Sequence, residues 1–306
     1  MTIRTQTVAG SILIVDDEPI IRGMLELELE EKYRVFTAED APTAFAILEE
    51  NPVDLVISDI NMPGIHGFEL LNMVRTKHPH VKTALITAYN TDDYVRMAKE
   101  NGISNIIPKS TPFNFDEFNT IVNSLVTEEV FGLARYMGEG YAPVGAYTIR
   151  SSKEIAPTEE RIMEQIAAFH SPEPFVQILL EELITNAIYH APVDEKGNVK
   201  YEKHSEVVLQ ECEGVQVLLG RDREKYGVSV EDTSGRLTKE QVLFRIDRHI
   251  HAEGILDENG RGLHMSRMYA DRLVVNIKKD VRTEVIFIIY TDRKYQGFKP
   301  LYINEV

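Results

Sequence analysis

Between Ser11 and residue 126, short apolar runs alternate with amphipathic stretches. Runs at 12–15, 34–38, 55–58, 83–87 and 103–108 have strand length, and segments 20–31, 41–50, 68–78 and 92–101 carry apolar residues at helical spacing. Strands alternating with helices of this length predict βαβ units, hence an α/β doubly wound, five-stranded parallel sheet covered on both faces. In such sheets functional groups gather beyond the carboxyl ends of the strands. A fifth helix starts near Phe115 and repeats apolar residues at Phe118, Ile121, Val122, Leu125, Val126 and Val130. Its pattern runs to about Met137, which predicts either a dimerising connector or a helix packed on its own sheet with a frayed end. Three glycines and a proline within 138–145 mark a boundary.

The second half is patterned differently. Strands are expected at 144–150, 207–211, 215–221, 227–231, 273–278 and 284–290, and helices at 158–170, 174–191, 239–250 and 263–271. Helices segregated from strands indicate an α+β sandwich. The expected organisation is a first domain over 1–126, a helical connector over 127–143 and a second domain over 144–306.

Composition narrows the function. The 306 residues suffice for two ordinary cores. A net charge of −16 disfavours nucleic acid, whose binding needs lysine and arginine to displace counterions, so no direct DNA contact is expected. No apolar run approaches the roughly 18 residues that span a bilayer, and no secretory signal opens the chain. The single cysteine, Cys212, excludes an internal disulfide. These features predict a cytoplasmic protein without membrane association.

Asp16 and Asp17 follow the first expected strand, and Asp59 follows the third. Two like charges about 4 Å apart repel by about 4 kcal/mol at an effective dielectric of 20, so such a cluster calls for a counterion. An all-oxygen site with open positions suits Mg²⁺. Thr87 and Lys109 bring a hydroxyl and an ammonium to the same edge from the fourth and fifth strands. A lone aspartate here is most simply a helix cap, but matching groups at several strand ends are not explained that way.

The stretches LIVDDEP, VISDINMPGIHGFELL, LITAYN and IIPKS resemble the motifs of response-regulator receiver domains, over about 11–126. The resemblance implies that Asp59 accepts a phosphoryl group and that Asp16 and Asp17 hold Mg²⁺ with Asp59 and the backbone carbonyl of Asn61. It further implies that Thr87 bonds the phosphoryl oxygen and that Lys109 pairs with Asp59. An upstream histidine kinase or phosphotransfer protein is implied as donor. Ile106 stands where many receivers carry an aromatic residue, and Ser110 where proline often follows the lysine.

In LLEELITNAIYHAP, residues Glu182, Asn186 and His190 recur at i, i+4 and i+8, on one helix face beside an apolar stripe. Alone, such a row is usually the solvated side of a helix. VSVEDTSGRLT puts Asp232 at a strand end before a glycine turn, and DENGRGLHMSRMYADRL carries Gly260 and Gly262 into a helix start, where backbone N–H groups favour phosphate. In this order the motifs resemble the GHKL ATPases, most similar to the anti-sigma factor and serine-protein-kinase branch, over roughly 144–290. That resemblance implies a Bergerat-type sandwich binding ATP. Asn186 would hold Mg²⁺, Glu182 would act as general base and Asp232 would accept from the adenine amino group. Gly260, Arg261 and Gly262 would form the phosphate lid, with Gly235 in the turn and Thr283 near the nucleotide. Ser234 and Arg282 occupy positions where the family commonly has glycine, and 193–205 reads as an inserted, solvated loop.

The leading expectation is a phosphorylation-controlled serine/threonine kinase acting on an anti-sigma antagonist protein. The alternative is a non-catalytic ATP-regulated switch that sequesters a sigma factor or antagonist. A hybrid histidine kinase would need a phosphoaccepting histidine ahead of the nucleotide helix. His170 is the nearest, and no acidic neighbour follows it.

Overall fold

The computed structural model describes residues 9–250, 261–291 and 297–306, and the chain divides into two units, Met1–Glu129 and Val130–Val306. In the first unit, β1 (Ser11–Val15), β2 (Arg34–Ala38), β3 (Leu55–Asp59), β4 (Lys82–Thr87) and β5 (Asn105–Pro108) run parallel in the order β2-β1-β3-β4-β5. This is the flavodoxin-like doubly wound order, which reverses between β1 and β3. β1 and β3 are buried along their whole length, as parallel strands covered on both faces must be. The connecting helices are α1 (Pro19–Leu29), α2 (Ala41–Glu50), α3 (Gly67–Lys77), α4 (Val95–Asn101) and α5 (Phe115–Thr127). The start of α2 follows from its sequence: the Asp40 carboxylate accepts from the Thr43 N–H at 2.9 Å, and Pro42 lies in the first turn. The helix expected over 92–101 is instead a 3₁₀ turn, Thr91–Tyr94, capped by Asn90, that leads into α4.

The expected helix to Met137 is corrected. α5 ends at Thr127, and Glu128 takes a left-handed conformation with φ 57°. Residues 130–136 belong to the second unit and include only a 3₁₀ turn, Leu133–Tyr136. Val130, Leu133 and Tyr136 are buried. Their spacing of three mimics a helix, although they cover a sheet.

In the second unit, β6 (Ala142–Ile149), β7 (Val215–Arg221), β8 (Lys225–Asp232), β9 (Arg272–Lys278), β10 (Arg282–Tyr290) and β11 (Leu301–Glu305) lie in the order β11-β9-β10-β8-β7-β6. Five pair antiparallel, and β11 runs parallel to β9. The helices are α6 (Ile155–Ala167), α7 (Pro174–Thr185), α8 (Lys239–Ile250) and α9 (Arg261–Tyr269). Ile162 and Ile166 of α6 and Leu179 and Leu183 of α7 pack with Tyr226, Val228 and Val230 of β8 and with Phe287 of β10. Alternation along a strand places Asp232 and Thr283 on that same helix-facing side.

The opposite face of this sheet is polar at its centre. Glu284, 1% exposed, accepts from Ser229 Oγ at 2.6 Å, Asn276 Nδ2 at 3.0 Å and the Gly132 N–H at 2.9 Å. Asn276 also donates to the Val130 carbonyl at 2.7 Å and accepts from Tyr136 Oη at 3.1 Å. The segment after α5 is thereby tied to β9 and β10.

Two further expectations change. Residues 207–211 form no strand: Val207 and Leu209 are buried with strand-like alternation, but only a Ser151–Val208 bridge and a 3₁₀ turn, Glu211–Glu213, result. The loop 193–205 is not simply solvated. Lys200 Nζ and Tyr201 Oη bond the Glu213 carboxylate at 2.6 and 2.7 Å, and Tyr189 Oη donates to the Ser205 carbonyl at 2.8 Å.

Candidate functional site

Because β1 and β3 are neighbours, Asp16 beyond β1 and Asp59 at the end of β3 open on one sheet edge. Thr87 ends β4, and Lys109 follows β5. The Lys109 ammonium lies 2.8 Å from Asp16 Oδ2, 2.7 Å from Asp59 Oδ1 and 3.3 Å from Glu18 Oε1. Burial pulls the lysine pKa down, but bonds to Asp16 and Asp59 outweigh it and hold the ammonium above its ordinary range. Asp16 is fully buried, and that burial raises its pKa against the opposing pull of Lys109. Its Oδ1 accepts from the Glu18 N–H at 2.9 Å, and Arg22 donates to its backbone carbonyl. Asp59 Oδ2 accepts from the Asn61 N–H at 2.6 Å. The turn from β3 into α3 passes so close that a Cβ on Gly67 would sit 2.0 Å from the Asp59 carbonyl oxygen.

The structure thus brings together Asp16, Asp59, Lys109 and, one strand away, the fully buried Thr87, whose Oγ1 accepts from the Tyr89 N–H at 3.1 Å. Asp17 is exposed, and among the described residues no group of three or more His, Cys, Asp or Glu is gathered so as to cage a metal by itself. Lys109 stands between the two buried carboxylates instead. In kind, the donors fit a hard divalent cation: they are all oxygens, and Asp16 is a buried carboxylate whose charge a cation would favour. Two contacts escaped the sequence reading, Glu18 on Lys109 and Tyr94 Oη, which accepts from Asn61 Nδ2 at 2.9 Å. Glu18 was within sight, adjoining the Asp pair.

The second unit holds a cavity of ≈ 370 Å³, within the range of small-ligand pockets. Asn186, His190, Asp232, Leu263 and Thr283 line it, so residues of all three motifs meet there beside β10. Asp232 and Thr283 face each other directly across the β8–β10 ladder. The Thr283 hydroxyl, in a residue 2% exposed, has no hydrogen-bond partner among the described residues. Burial raises the Asp232 pKa on balance, and donors from Ser234 and Gly235 offset it only in part. Asn186 begins a π-turn, Asn186–His190, closed by the Ala191 N–H on the Asn186 carbonyl at 3.1 Å. The helix expected over 174–191 therefore widens at the polar row, a distortion that recurs at functional sites.

Other expected residues fall nearby with different surroundings. Glu182 does not line the cavity; a Cβ on Gly262 would lie 2.9 Å from its Oε2 and 3.1 Å from Asn186 Nδ2, so α9 begins against this pair. Gly235 sits in the turn after β8 with φ +57° and serves the backbone. Gly260 and the Arg261 side chain lie outside the described residues. The sequence reading overlooked Gln241 and Arg245, one turn apart on α8, which also line the cavity. The pKa of His190 is held down by burial and by Lys203 and Arg245.

Comparison with known proteins identifies the family of the first unit. The family model of the response regulator receiver domain matches residues 12–123. FleR of Pseudomonas aeruginosa, a response regulator protein, is 36% identical over 102 residues, 33% of this chain and 22% of that protein. The DNA-binding transcriptional regulator NtrC of Salmonella typhimurium is 31% identical over 119 residues, 39% of this chain and 25% of its own length. This chain therefore spans about a quarter or less of those curated relatives. The Thermotoga maritima response regulator TrrA, solved in complex with Mg²⁺–BeF, is 41% identical over 38% of this chain and 98% of that one, with a TM-score of 0.35. Residues 12–123 of this chain form a response regulator receiver domain.

Proposed function

We propose that the chain is a two-component response regulator that takes a phosphoryl group on Asp59 and commands an ATP-binding output unit. An upstream histidine kinase or phosphotransfer protein is the donor. Asp59 attacks phosphorus, its carboxylate forming the new P–O bond while the donor's bond breaks and its leaving group departs. Lys109, already 2.7 Å from Asp59, follows the incoming charge, and Thr87 donates to a phosphoryl oxygen. Asp16, Asp17, Asp59 and the Asn61 carbonyl would hold Mg²⁺, which neutralises charge on the transferring group when bound.

For the second unit, the carrying observation is the Asp232–Thr283 pair at the cavity that Asn186 also lines. An acceptor beside a hydroxyl that has no partner among the described residues suits the amino-and-ring-nitrogen edge of adenine. Asn186 would hold Mg²⁺, and Gly262 in the first turn of α9 lies beside it, which supports this reading. The reading is a GHKL-type ATPase sandwich that phosphorylates a serine or threonine on a protein such as an anti-sigma antagonist, with Glu182 as base. Binding of a fluorescent ATP analogue with Mg²⁺ tests it. Micromolar binding that Asp232→Asn weakens at least tenfold is expected, and absence of binding to the intact chain refutes it.

One observation favours a second reading, an ATP-regulated binding switch for a sigma factor or antagonist. Glu182 lies against α9 rather than on the cavity lining. Incubation with γ-labelled ATP and candidate protein partners separates the two, since a switch binds nucleotide and partner without labelling either.

A further inference from the structure

Resting on the ATP reading above, we infer that Ser234 is a specificity-determining positioning residue: its two donors favour the accepting form of the Asp232 carboxyl and so select a 6-amino over a 6-keto purine. Both the backbone N–H and the hydroxyl of Ser234 donate to the same oxygen, Asp232 Oδ1, at 2.8 and 2.6 Å. The hydroxyl is itself oriented, because its oxygen accepts from the Arg236 N–H at 3.4 Å, which turns its proton toward the carboxylate. A carboxylate with one oxygen engaged by two donors keeps that oxygen turned away from a ligand. Oδ2 receives neither Ser234 donor, and on the ionised group it accepts.

The turn that carries Ser234 cannot drift. A Cβ on Gly235 would lie 2.2 Å from the Lys278 carbonyl oxygen and 2.6 Å from the Val281 nitrogen, so the turn is pressed against the β9–β10 connection. The Gly235 carbonyl accepts from the Asp280 N–H at 3.1 Å on the same side. Ser234 is thus presented to Asp232 by backbone that is locked on the neighbouring hairpin. On the other flank, Thr283 stands opposite Asp232 in the ladder and can donate or accept as the ring nitrogen requires.

Discrimination follows from what each base offers. An exocyclic amine donates to Oδ2. A keto oxygen meets an acceptor, and both groups lose their hydrogen bonds to water without replacement, the situation in which polar sites reject analogues most strongly. Remove the Ser234 hydroxyl and the carboxylate gains freedom to rotate or to hold a proton, and a protonated acid can donate to a keto oxygen.

The test is competition against a fluorescent ATP analogue on the full chain, with ATP and inosine triphosphate as competitors, for the wild type, Ser234→Ala, Ser234→Thr and Asp232→Asn. The wild type should prefer ATP by more than about tenfold. Ser234→Ala should reduce that preference at least about fivefold, Ser234→Thr should largely restore it, and Asp232→Asn, whose amide can donate, should abolish it. A general loss of structure would weaken both nucleotides together and leave the ratio unmoved. If the ratio is unchanged in Ser234→Ala while ATP still binds, the role of Ser234 is overturned and the ATP reading stands. If no purine triphosphate binds the wild type, both fall.

Discussion

The two candidate sites solve the problem of buried charge in opposite ways. In the first unit, Asp16 and Asp59 are buried and share Lys109, so the site contains its own cation. In the second, Asp232 accepts from its own turn while the Thr283 hydroxyl beside it is buried without a partner among the described residues. A pocket whose groups answer one another is rigid and ready for chemistry on one of its own atoms. A cavity that leaves a polar group unanswered has room for an incoming group to bond it. The same contrast explains why one site reads from short motifs at strand ends and the other is assembled from α7, β8, α8 and β10.

That comparison can be broken most directly at Asp59. Asp59→Asn should abolish alkali- and hydroxylamine-labile labelling by a small phosphodonor such as acetyl phosphate, measured by phosphate-affinity gel shift, and leave the nucleotide binding proposed for the second unit within about twofold. A label that survives would place the acceptor elsewhere. Next in size is Gly235→Ala, which forces a side chain into left-handed backbone and against two backbone atoms. It should cost about 4 kcal/mol in the second unit. Urea unfolding followed by circular dichroism would show this, the chain having no tryptophan for a fluorescence probe.

Lys109→Met removes the shared cation and leaves two buried carboxylates facing each other. A loss of about 3 kcal/mol is expected in chelator. Added Mg²⁺ should recover part of it, read as a rise in melting temperature, and equal melting with and without Lys109 would deny that the first site is internally neutralised.

The smallest effect concerns Glu159 of α6, which is 5% exposed. Burial, with Glu181 and Glu160 nearby, raises its pKa from 4.5 to about 7. The native state then keeps a proton that the unfolded chain releases, so stability falls as pH rises from about 4.5 to about 7 and levels off above. Glu159→Gln should be about 2 kcal/mol more stable than the wild type at pH 8 and nearly equal at pH 4. Parallel pH–stability curves for the two proteins would exclude a raised Glu159.

The first unit was nearly all legible in the sequence because its strands are continuous apolar runs and its reactive residues sit at their ends. α2 and β2 fall on the expected residues. What escaped was decided by tertiary contacts. Val130, Leu133 and Tyr136 follow helical spacing while serving as cover for a sheet, and Val207 and Leu209 alternate like a strand with little to pair with. β11 was missed because its residues gain their meaning only beside β9. In the cavity, Asn186, Asp232 and Thr283 were visible as motif residues. Gln241 and Arg245 were not, since two polar positions one turn apart on a helix look like solvent-facing surface until a fold closes over them.

The stitching of residues 130–136 to Glu284 and Asn276 has a consequence for how such proteins can be recombined. A splice at the glycine-rich stretch 138–145, the obvious seam in the sequence, would strip the sheet of Val130, Leu133 and Tyr136 and take the Gly132 donor from the buried Glu284 carboxylate. Any exchange of the input module that preserves the output must therefore join within 128–129, where α5 has ended and the stitched segment has not begun. Two residues are a short leash, and a graft that lengthens it should fold normally while loosening the covalent link between input and output.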